Sequence, residues 1–356
     1  MWKRVAFVAA VLALTGCPYT EGCEHGLLAP VGDGGTGPSP TTSTDGSAPD
    51  AEVVLAPLGG PAEPACAGIT STCAGGASCC ATADVPGGSF NRSNDARFPA
   101  TVSSFRLDKF EVTVGRFRAF VKAGMGTRKS PPAEGAGANP NVPGSGWTAK
   151  LTEGLHPDEA ALRAAIACDV LYPAWTEQPG PKDDLPMNCV SWYEAQAFCI
   201  WDGGRLPTEA EWNYAGAGGD EQRKFAWGSD SLDLAHATWG CKADGVGGQQ
   251  CSFDTYYLPI GSKSPLGDAR WGHSDMTGSQ WEWTADWLAE PEYQIIPCND
   301  CAELTPHPKP GDVERRAFRG GAFNWDDLYQ PTSYRGGDPP DARYGSIGFR
   351  CARPIP

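Results

Sequence analysis

The fourteen cysteines of this 356-residue chain constrain its fold more than any other feature. Cysteines in that number serve either as disulfides or as metal ligands. Disulfides persist in exported proteins and are rare in the cytosol, so the cellular compartment decides between the two roles. The N-terminal sequence indicates which compartment applies.

The first sixteen residues are predicted to be an export signal. Lys3 and Arg4 precede an apolar run that ends at Leu14, which is too short to cross a bilayer core of about 30 Å as a helix. The ending LTGC resembles the bacterial lipobox, which implies a lipidated Cys17 at the mature N-terminus. The alternative is an ordinary signal peptide that is cleaved nearby, with Cys17 unmodified. Both interpretations predict an exported protein. A lipid on Cys17 further predicts that the protein is anchored to a membrane of the cell envelope and faces the periplasm or the cell surface.

Residues 17–64 are predicted to be a disordered tether. Fifteen of the twenty residues from 31 to 50 are Gly, Ser, Thr or Pro, which cannot bury enough apolar surface to offset the ordering of the chain. Residues 65–84 hold four cysteines at a spacing unlike paired zinc knuckles, which favours disulfides over zinc. These are Cys66, Cys73, Cys79 and Cys80.

Residues 85–356 are predicted to form one α+β domain with several short strands, about three helices and long loops. Residues 102–107 have the pattern of a strand, and residues 111–123 have that of an amphipathic helix with Thr113 as its N-cap. A second helix is predicted over 191–202. A third begins at Thr208, where Glu211 completes a capping box.

The charge of the chain limits its partners. Lys and Arg number 28 against 43 Asp and Glu, a formal net charge of −15. Such a surface repels phosphate backbones, which excludes general nucleic-acid binding. It suits a hard cation such as Ca²⁺.

Several motifs resemble one enzyme family. Residues 186–219 read PMNCVSWYEAQAFCIWDGGRLPTEAEWNYAGAGG, and the others are DKFEVT at 108–113, DMTGSQWEW at 275–283, RGG at 319–321 and GFRC at 348–351. In this order they resemble the formylglycine-generating enzyme, or sulfatase-modifying factor, family. The resemblance covers 85–356 and implies a C-type-lectin-like fold with little regular secondary structure.

The resemblance also identifies what this chain lacks. Family enzymes carry two cysteines shortly after the Gly-Gly pair, which bind Cu(I) as thiolates and oxidise a sulfatase cysteine with O₂. The matching positions here are Trp325 and Gln330, and no cysteine lies between Cys301 and Cys351. The sequence therefore does not favour copper, and it predicts a binding or cell-envelope module with an unidentified protein or glycan ligand.

An oxidoreductase is the alternative. It would be of the formylglycine-generating type, or would resemble iron enzymes of the family that use clustered histidines, and it would modify a protein or a small molecule. The five histidines here are scattered without an i, i+4 pair, so the sequence leaves iron unassigned.

The resemblance further implies a structural Ca²⁺ site. Its ligands would be Asp275, the carbonyls of Gly278 and Gln280, and Glu282, all hard oxygen donors on a glycine-containing turn. The alternative is that Asp275 caps a turn and Glu282 is buried against a cation.

The family pairs the cysteine of the second helix with that of the GFRC motif, which implies Cys199–Cys351. Proximity in sequence suggests Cys168–Cys189, Cys241–Cys251 and Cys298–Cys301 for the others. The last pair has the C-x-x-C spacing, for which a redox-active role is the alternative to a structural one.

Overall fold

The computed structural model describes residues 64–355, except for positions 68, 70–71, 169–171, 230, 242–256 and 291. The predicted export signal, Cys17 and nearly all of the predicted tether lie outside the described residues. The described helices are α1 (Val114–Lys122), α2 (Ala149–Thr152), α3 (Glu159–Ile166), α4 (Trp192–Trp201) and α5 (Glu209–Gly216). The described strands are β1 (Thr82–Val85), β2 (Gly88–Asn91), β3 (Pro99–Val102), β4 (Phe105–Asp108), β5 (Trp281–Trp287), β6 (Cys298–Asn299), β7 (Arg316–Arg319), β8 (Gly336–Asp338), β9 (Ile347–Gly348) and β10 (Ala352–Pro354).

These elements form a mixed α+β fold with three small sheets, in agreement with the predicted class. The first sheet has the order β1-β4-β10 and is antiparallel. In the second, β3 lies between antiparallel β2 and parallel β6. The third has the order β8-β7-β5-β9, with only β5 and β9 parallel. Within the described part of the chain, no helix is both long enough and apolar enough to cross a bilayer.

The helix starts follow the predicted capping. The Thr113 hydroxyl accepts a hydrogen bond from the Arg116 amide at the start of α1. At the start of α5, Thr208 and Glu211 form the predicted capping box, with each side chain accepting from the backbone amide of the other residue. A short polar pattern therefore fixed these termini locally.

One predicted strand was wrong, and two helices of the structure had not been predicted. The strand predicted over 102–107 is two strands, because the Asp300 carboxylate binds both the amide and the hydroxyl of Ser103 and fixes a turn there. The prediction of about three helices missed α2 and α3. Asp158 caps α3 by accepting from the Ala161 amide, and this helix buries Leu162 and Ile166 at i, i+4 spacing. The first strand also begins at residue 82, slightly before the predicted domain start at 85.

The main core joins both ends of the domain. Phe198 of α4 stacks on Phe117 of α1 with ring centroids 5.7 Å apart, and it meets Phe349 of the GFRC motif edge-on at 5.4 Å. All three rings are fully buried. The C-terminal motif is therefore packed between the two longest described helices.

The disulfides agree with the predicted pairs where they are described. The structure contains Cys199–Cys351, Cys168–Cys189 and Cys298–Cys301. The N-terminal cysteines form Cys66–Cys80 and Cys73–Cys79, the disulfides favoured over zinc. Cys241 is also disulfide-bonded, but its predicted partner Cys251 lies outside the described residues.

Candidate functional site

The loop that follows β7 carries the two positions where the family is expected to keep its cysteines. Gly320 and Gly321 reverse the chain with φ values of 106° and 75°. A Cβ atom on Gly321 would lie 2.2 Å from Oε1 of Gln330, so only glycine fits against that side chain. The glycine pair thus lets the loop close over position 330.

Gln330 is buried, and its side-chain amide binds backbone carbonyls of the same loop. Its Nε2 lies 3.1 Å from the Ala322 carbonyl, 2.9 Å from that of Trp325 and 3.2 Å from that of Asp326. These contacts organise the loop around a neutral amide. A side chain of this kind offers Cu(I) no thiolate.

Trp325 belongs to a group of four rings, which we call the aromatic cluster. Its ring lies 5.8 Å from Trp281 and 4.7 Å from Tyr329, both edge-on. Tyr334 completes the cluster, at 5.0 Å from Tyr329 and 5.5 Å from Trp281. Trp325 is 39% exposed and the adjoining Leu328 is 75% exposed, so apolar surface faces solvent here.

Three polar atoms beside this apolar surface are buried without a hydrogen-bond partner among the described residues. They are Nε1 of Trp281, Oδ1 of Asn324 and Oε1 of Gln330. Buried polar atoms normally have partners, so such a group indicates bound water or ligand. One donor and two acceptors beside exposed aromatic rings can bind a polar ligand that also has an apolar face.

A surface cavity of about 410 Å³ adjoins the aromatic cluster. Leu328 and Tyr334 form the side that it shares with the cluster, and Phe98, Tyr293 and Arg335 lie in its wall. No sequence pattern predicted this cavity, because its walls come from segments that are about two hundred residues apart.

The predicted calcium ligands lie on the turn before β5. Asp275 has a φ of 61° and accepts a 2.5 Å hydrogen bond from the Gly261 amide. Gly278, with a φ of 81°, passes so close to Thr238 that a Cβ atom would lie 2.2 Å from the Thr238 carbonyl. Gln280 is buried immediately before the strand, and its side-chain amide donates to the Tyr257 hydroxyl.

Glu282 follows on β5 and is fully buried. Its carboxylate accepts hydrogen bonds from Arg350 at 2.7 and 2.6 Å and from the Trp212 indole at 2.8 Å. Both features of the alternative interpretation are therefore present: Asp275 binds a turn amide and Glu282 is paired with a cation.

A third carboxylate, which the sequence reasoning missed, belongs to the same place. Glu111 is fully buried in the DKFEVT motif, where its Oε2 accepts from the Ser279 hydroxyl at 3.2 Å. Its Oε1 has no partner in the described part of the chain. Burial, together with the charges of Asp275 and Glu282, raises the pKa of Glu111 well above its usual value. Burial likewise raises the pKa of Asp275 to about 6.

Glu111, Asp275 and Glu282 offer hard oxygen donors of the kind that Ca²⁺ takes, but in the described structure their oxygen atoms do not converge as a group of three. Glu282 binds the Arg350 guanidinium directly, whereas Glu111 and Asp275 act on it through their charges. Oε1 of Glu111 has no partner among the described residues. Burial is the main cause of both raised pKa values, and the neighbouring carboxylate charges add to it.

No cluster suited to iron is found among the described residues. The one described group of three His, Cys, Asp or Glu whose ligand atoms converge is Cys73, Cys79 and Asp184. Those two cysteines are bonded to each other, so they have no thiolate to offer.

Comparison with known proteins identifies the family. A sequence model described as the sulfatase-modifying factor enzyme 1-like domain matches residues 73–355. The chain belongs to this family. The match starts within the N-terminal cysteine-rich segment.

Relatives of this chain in the family include active and inactive proteins. The chain is 32% identical over 265 residues to the formylglycine-generating enzyme of Streptomyces coelicolor, covering 70% of this chain and 77% of that protein. It is 28% identical over 304 residues to inactive C-alpha-formylglycine-generating enzyme 2 of Bos taurus, covering 75% and 86%. Among solved structures, PvdO from Pseudomonas aeruginosa shares the fold, with a TM-score of 0.51, 21% identity and coverage of 77% and 94%.

Proposed function

We propose that this protein is a binding module of the sulfatase-modifying factor family without formylglycine-generating activity. The observation that carries the proposal is the residue at position 330. The resemblance implies a copper-binding cysteine there, and this chain has a glutamine. Gln330 instead donates to three backbone carbonyls and holds the loop together. The relative from Bos taurus is named as inactive, so membership of the family does not require catalysis.

The proposed ligand surface is the aromatic cluster with Leu328. Exposed aromatic faces stack on sugar rings and on apolar peptide side chains, and the orphaned Trp281 indole and Asn324 amide would bind their polar groups. The ligand class is therefore a glycan or a protein segment.

A binding test follows from the exposure of Trp325. Wild-type protein and Trp325→Ala are compared on glycan and peptide arrays, with Val313→Ala, an exposed apolar residue outside the cluster, as the matched control. We expect ligands that bind wild type and Val313→Ala but lose at least tenfold in affinity with Trp325→Ala. Ligands that bind all three proteins equally would place the binding surface elsewhere.

The alternative is an oxidoreductase, and the similarity to the Streptomyces coelicolor enzyme favours it. Purified protein is incubated with O₂ and a CxPxR peptide after loading with Cu(I) and, separately, with Fe(II). We expect no loss of mass at the peptide cysteine under either condition. Formylglycine in the product would overturn the binding proposal.

We further propose that the protein is exported and held at the bacterial cell envelope by a lipid on Cys17. The support is the charged start, the short apolar run and the LTGC ending of residues 1–17. A Cys17→Ala protein should move from the membrane fraction to the soluble exported fraction. Its recovery in the membrane fraction with wild type would refute the anchor.

We also propose a structural Ca²⁺ ion bound by Asp275 and Glu111, with Glu282 and the carbonyls of Gly278 and Gln280 completing the site. The support is the orphaned Glu111 oxygen and the raised pKa of Glu111 and Asp275, two buried carboxyl groups within reach of the Glu282 charge. Binding requires these side chains to move closer together than they lie in the structure. The ion would fix loops that have little secondary structure of their own.

A further inference from the structure

A buried arginine lies against the Cys298–Cys301 disulfide. Nη1 of Arg92 is 3.6 Å from Sγ of Cys301, and Nη2 donates to the Ile295 carbonyl. The guanidinium also stacks on the Tyr293 ring, 3.9 Å from its centroid. Arg92 is 2% exposed, so these contacts replace almost all of its hydration.

This guanidinium is not balanced by a direct counterion. Among the described residues, no carboxylate lies within ion-pairing distance of Arg92, and its Nε has no hydrogen-bond partner. Burying a cation without a paired anion is costly. A thiolate on Cys301 would supply the missing negative charge at a contact that already exists.

The disulfide lies between two surface cavities. Cys298 lines one of about 370 Å³ with Pro297 and Asn299, and Cys301 lines another of about 420 Å³ with Asp300. The cysteines themselves are covered, at 0% and 7% exposure. Cys298 lies on β6, a strand of two residues at the edge of its sheet, and elements of this kind open locally at small free-energy cost.

The covalent link also contributes little to folding. It joins residues three apart, the smallest separation among the five disulfides that the structure describes, whereas Cys199–Cys351 joins residues 152 apart. In the chain-entropy account, stabilisation rises with the length of the closed loop. Stabilisation of the fold therefore explains the presence of this disulfide less well than it explains the other four.

We propose that Cys298–Cys301 is a thiol–disulfide exchange site that oxidises dithiol substrates. A substrate thiolate attacks Sγ of Cys298, and the S–S electron pair moves to Cys301, whose thiolate is stabilised by Arg92. The second substrate thiolate then attacks the substrate sulfur of the mixed disulfide. Cys298 leaves and takes a proton, while the substrate's other proton goes to solvent.

The two steps transfer two electrons from the substrate, which becomes a disulfide, to the protein, which becomes a dithiol. A low-molecular-weight disulfide such as oxidised glutathione reverses the exchange and restores Cys298–Cys301. The thiolate beside a cation is the better leaving group, which is why attack is assigned to Cys298.

The first test uses the folded full chain in glutathione buffers of increasing reducing strength. Thiols are trapped by acid and alkylation and located by peptide mass spectrometry. We expect Cys298 and Cys301 to become reduced together while Cys199 and Cys351 remain oxidised. Reduction of the first pair only together with the second, or only in denaturant, would overturn the proposal.

The second test concerns Arg92. The equilibrium constant with glutathione should shift at least tenfold towards the disulfide in Arg92→Met, about 30 mV for a two-electron couple. Arg92→Lys, which keeps the charge, should shift less, and Arg97→Met, a change at an exposed arginine, should not shift at all. Equal constants for wild type and Arg92→Met would refute the role of the cation.

A third measurement does not depend on the folding of the variants. In reduced wild-type protein, the rate of Cys301 alkylation should fall little between pH 8 and pH 6, because the thiolate persists. A free cysteine titrates near pH 8.5, and its rate falls steeply over that range. A steep fall at Cys301 would contradict the proposal.

Discussion

The guanidinium of Arg350 binds the carboxylate of Glu282 through two hydrogen bonds of 2.7 and 2.6 Å, and both side chains are fully buried. The same guanidinium donates to the backbone carbonyls of Asp108, Lys109 and Ser274. One arginine of the GFRC motif thus joins the WEW strand, the DKFEVT segment and the turn before β5. The contacts of Arg350 span 68 residues to Glu282 and 242 residues to Asp108, so one side chain holds distant parts of the domain together.

Removing one partner of this pair should destabilise the protein strongly. Glu282→Gln leaves a buried guanidinium without its anion, and the expected loss is about 3–5 kcal/mol in the free energy of unfolding. Urea denaturation in calcium-free buffer measures it. The control is Glu292→Gln, which breaks the exposed contact with Arg97 and should change stability far less. Equal losses in the two variants would contradict this account.

Calcium should stabilise the protein, and Glu111→Gln should separate the effect of the ion from that of charge repulsion. Saturation at a hundred times Kd adds about 2.7 kcal/mol to the stability of wild type. In chelator, Glu111→Gln should melt above wild type, because it removes a carboxyl group whose charge is opposed by burial and by the charges of Asp275 and Glu282. Calcium should then raise its Tm less than that of wild type.

The control for calcium is Asp341→Asn at an exposed position, which should respond to calcium as wild type does. A wild-type Tm that is the same in calcium and in chelator would refute the site. An unchanged calcium response in Glu111→Gln would remove Glu111 from it.

Asp286 should make stability depend on pH. Burial and the charge of Glu209 raise the pKa of Asp286 to about 7, above its usual value of 3.8. Between these two values the folded protein binds more protons at this position than the unfolded chain does. Its contribution is therefore present in full below about pH 4 and is lost as the pH rises through 7.

Asp286→Asn tests this dependence. The variant should be less stable overall, because the Asp286 oxygens accept from the amides of Glu209 and Glu303 and an amide side chain can match only one of them. Its stability should nevertheless fall less than that of wild type between pH 4 and pH 7, as measured by urea denaturation at several pH values. Parallel pH profiles would contradict the raised pKa.

The Cys199–Cys351 disulfide should contribute far more stability than Cys298–Cys301. By chain entropy, closing the long loop is worth about 4–5 kcal/mol, less any strain. The double variant Cys199→Ala/Cys351→Ala should show most of this loss in guanidinium denaturation. Cys298→Ala/Cys301→Ala is the matched comparison, and an equal loss there would mean that loop length does not govern the effect.

The side chain of Gln330 should contribute more to the free energy of unfolding than that of Trp325. Gln330→Ala leaves three backbone carbonyls without their donor and opens a cavity, which should cost about 2–4 kcal/mol. Trp325→Ala removes a partly exposed ring and should cost less. Chemical denaturation measures the free energy of unfolding of both variants. A larger loss in Trp325→Ala than in Gln330→Ala would show that the loop depends on the aromatic cluster instead.

Local patterns in the sequence determined the helix ends and the domain class. Thr113 and the Thr208–Glu211 box act within one turn of helix, so their hydrogen bonds need no tertiary partner. The Cys199–Cys351 pairing came from the family motifs, which fix a fold as a whole. The break in the predicted 102–107 strand was not visible, because Asp300, which causes it, lies almost two hundred residues away.

The sequence by itself determined that positions 325 and 330 hold Trp and Gln, and that no cysteine lies between Cys301 and Cys351. The tertiary structure decided what stands there instead: three carbonyls around one amide, and rings from separate strands and loops gathered beside unpaired polar atoms. It likewise brought Glu111 near Asp275 and Glu282, and Arg92 to Cys301. Burial, and electrostatic interactions between residues distant in the sequence, arise only when distant segments pack together. No pattern of neighbouring residues could therefore have specified them.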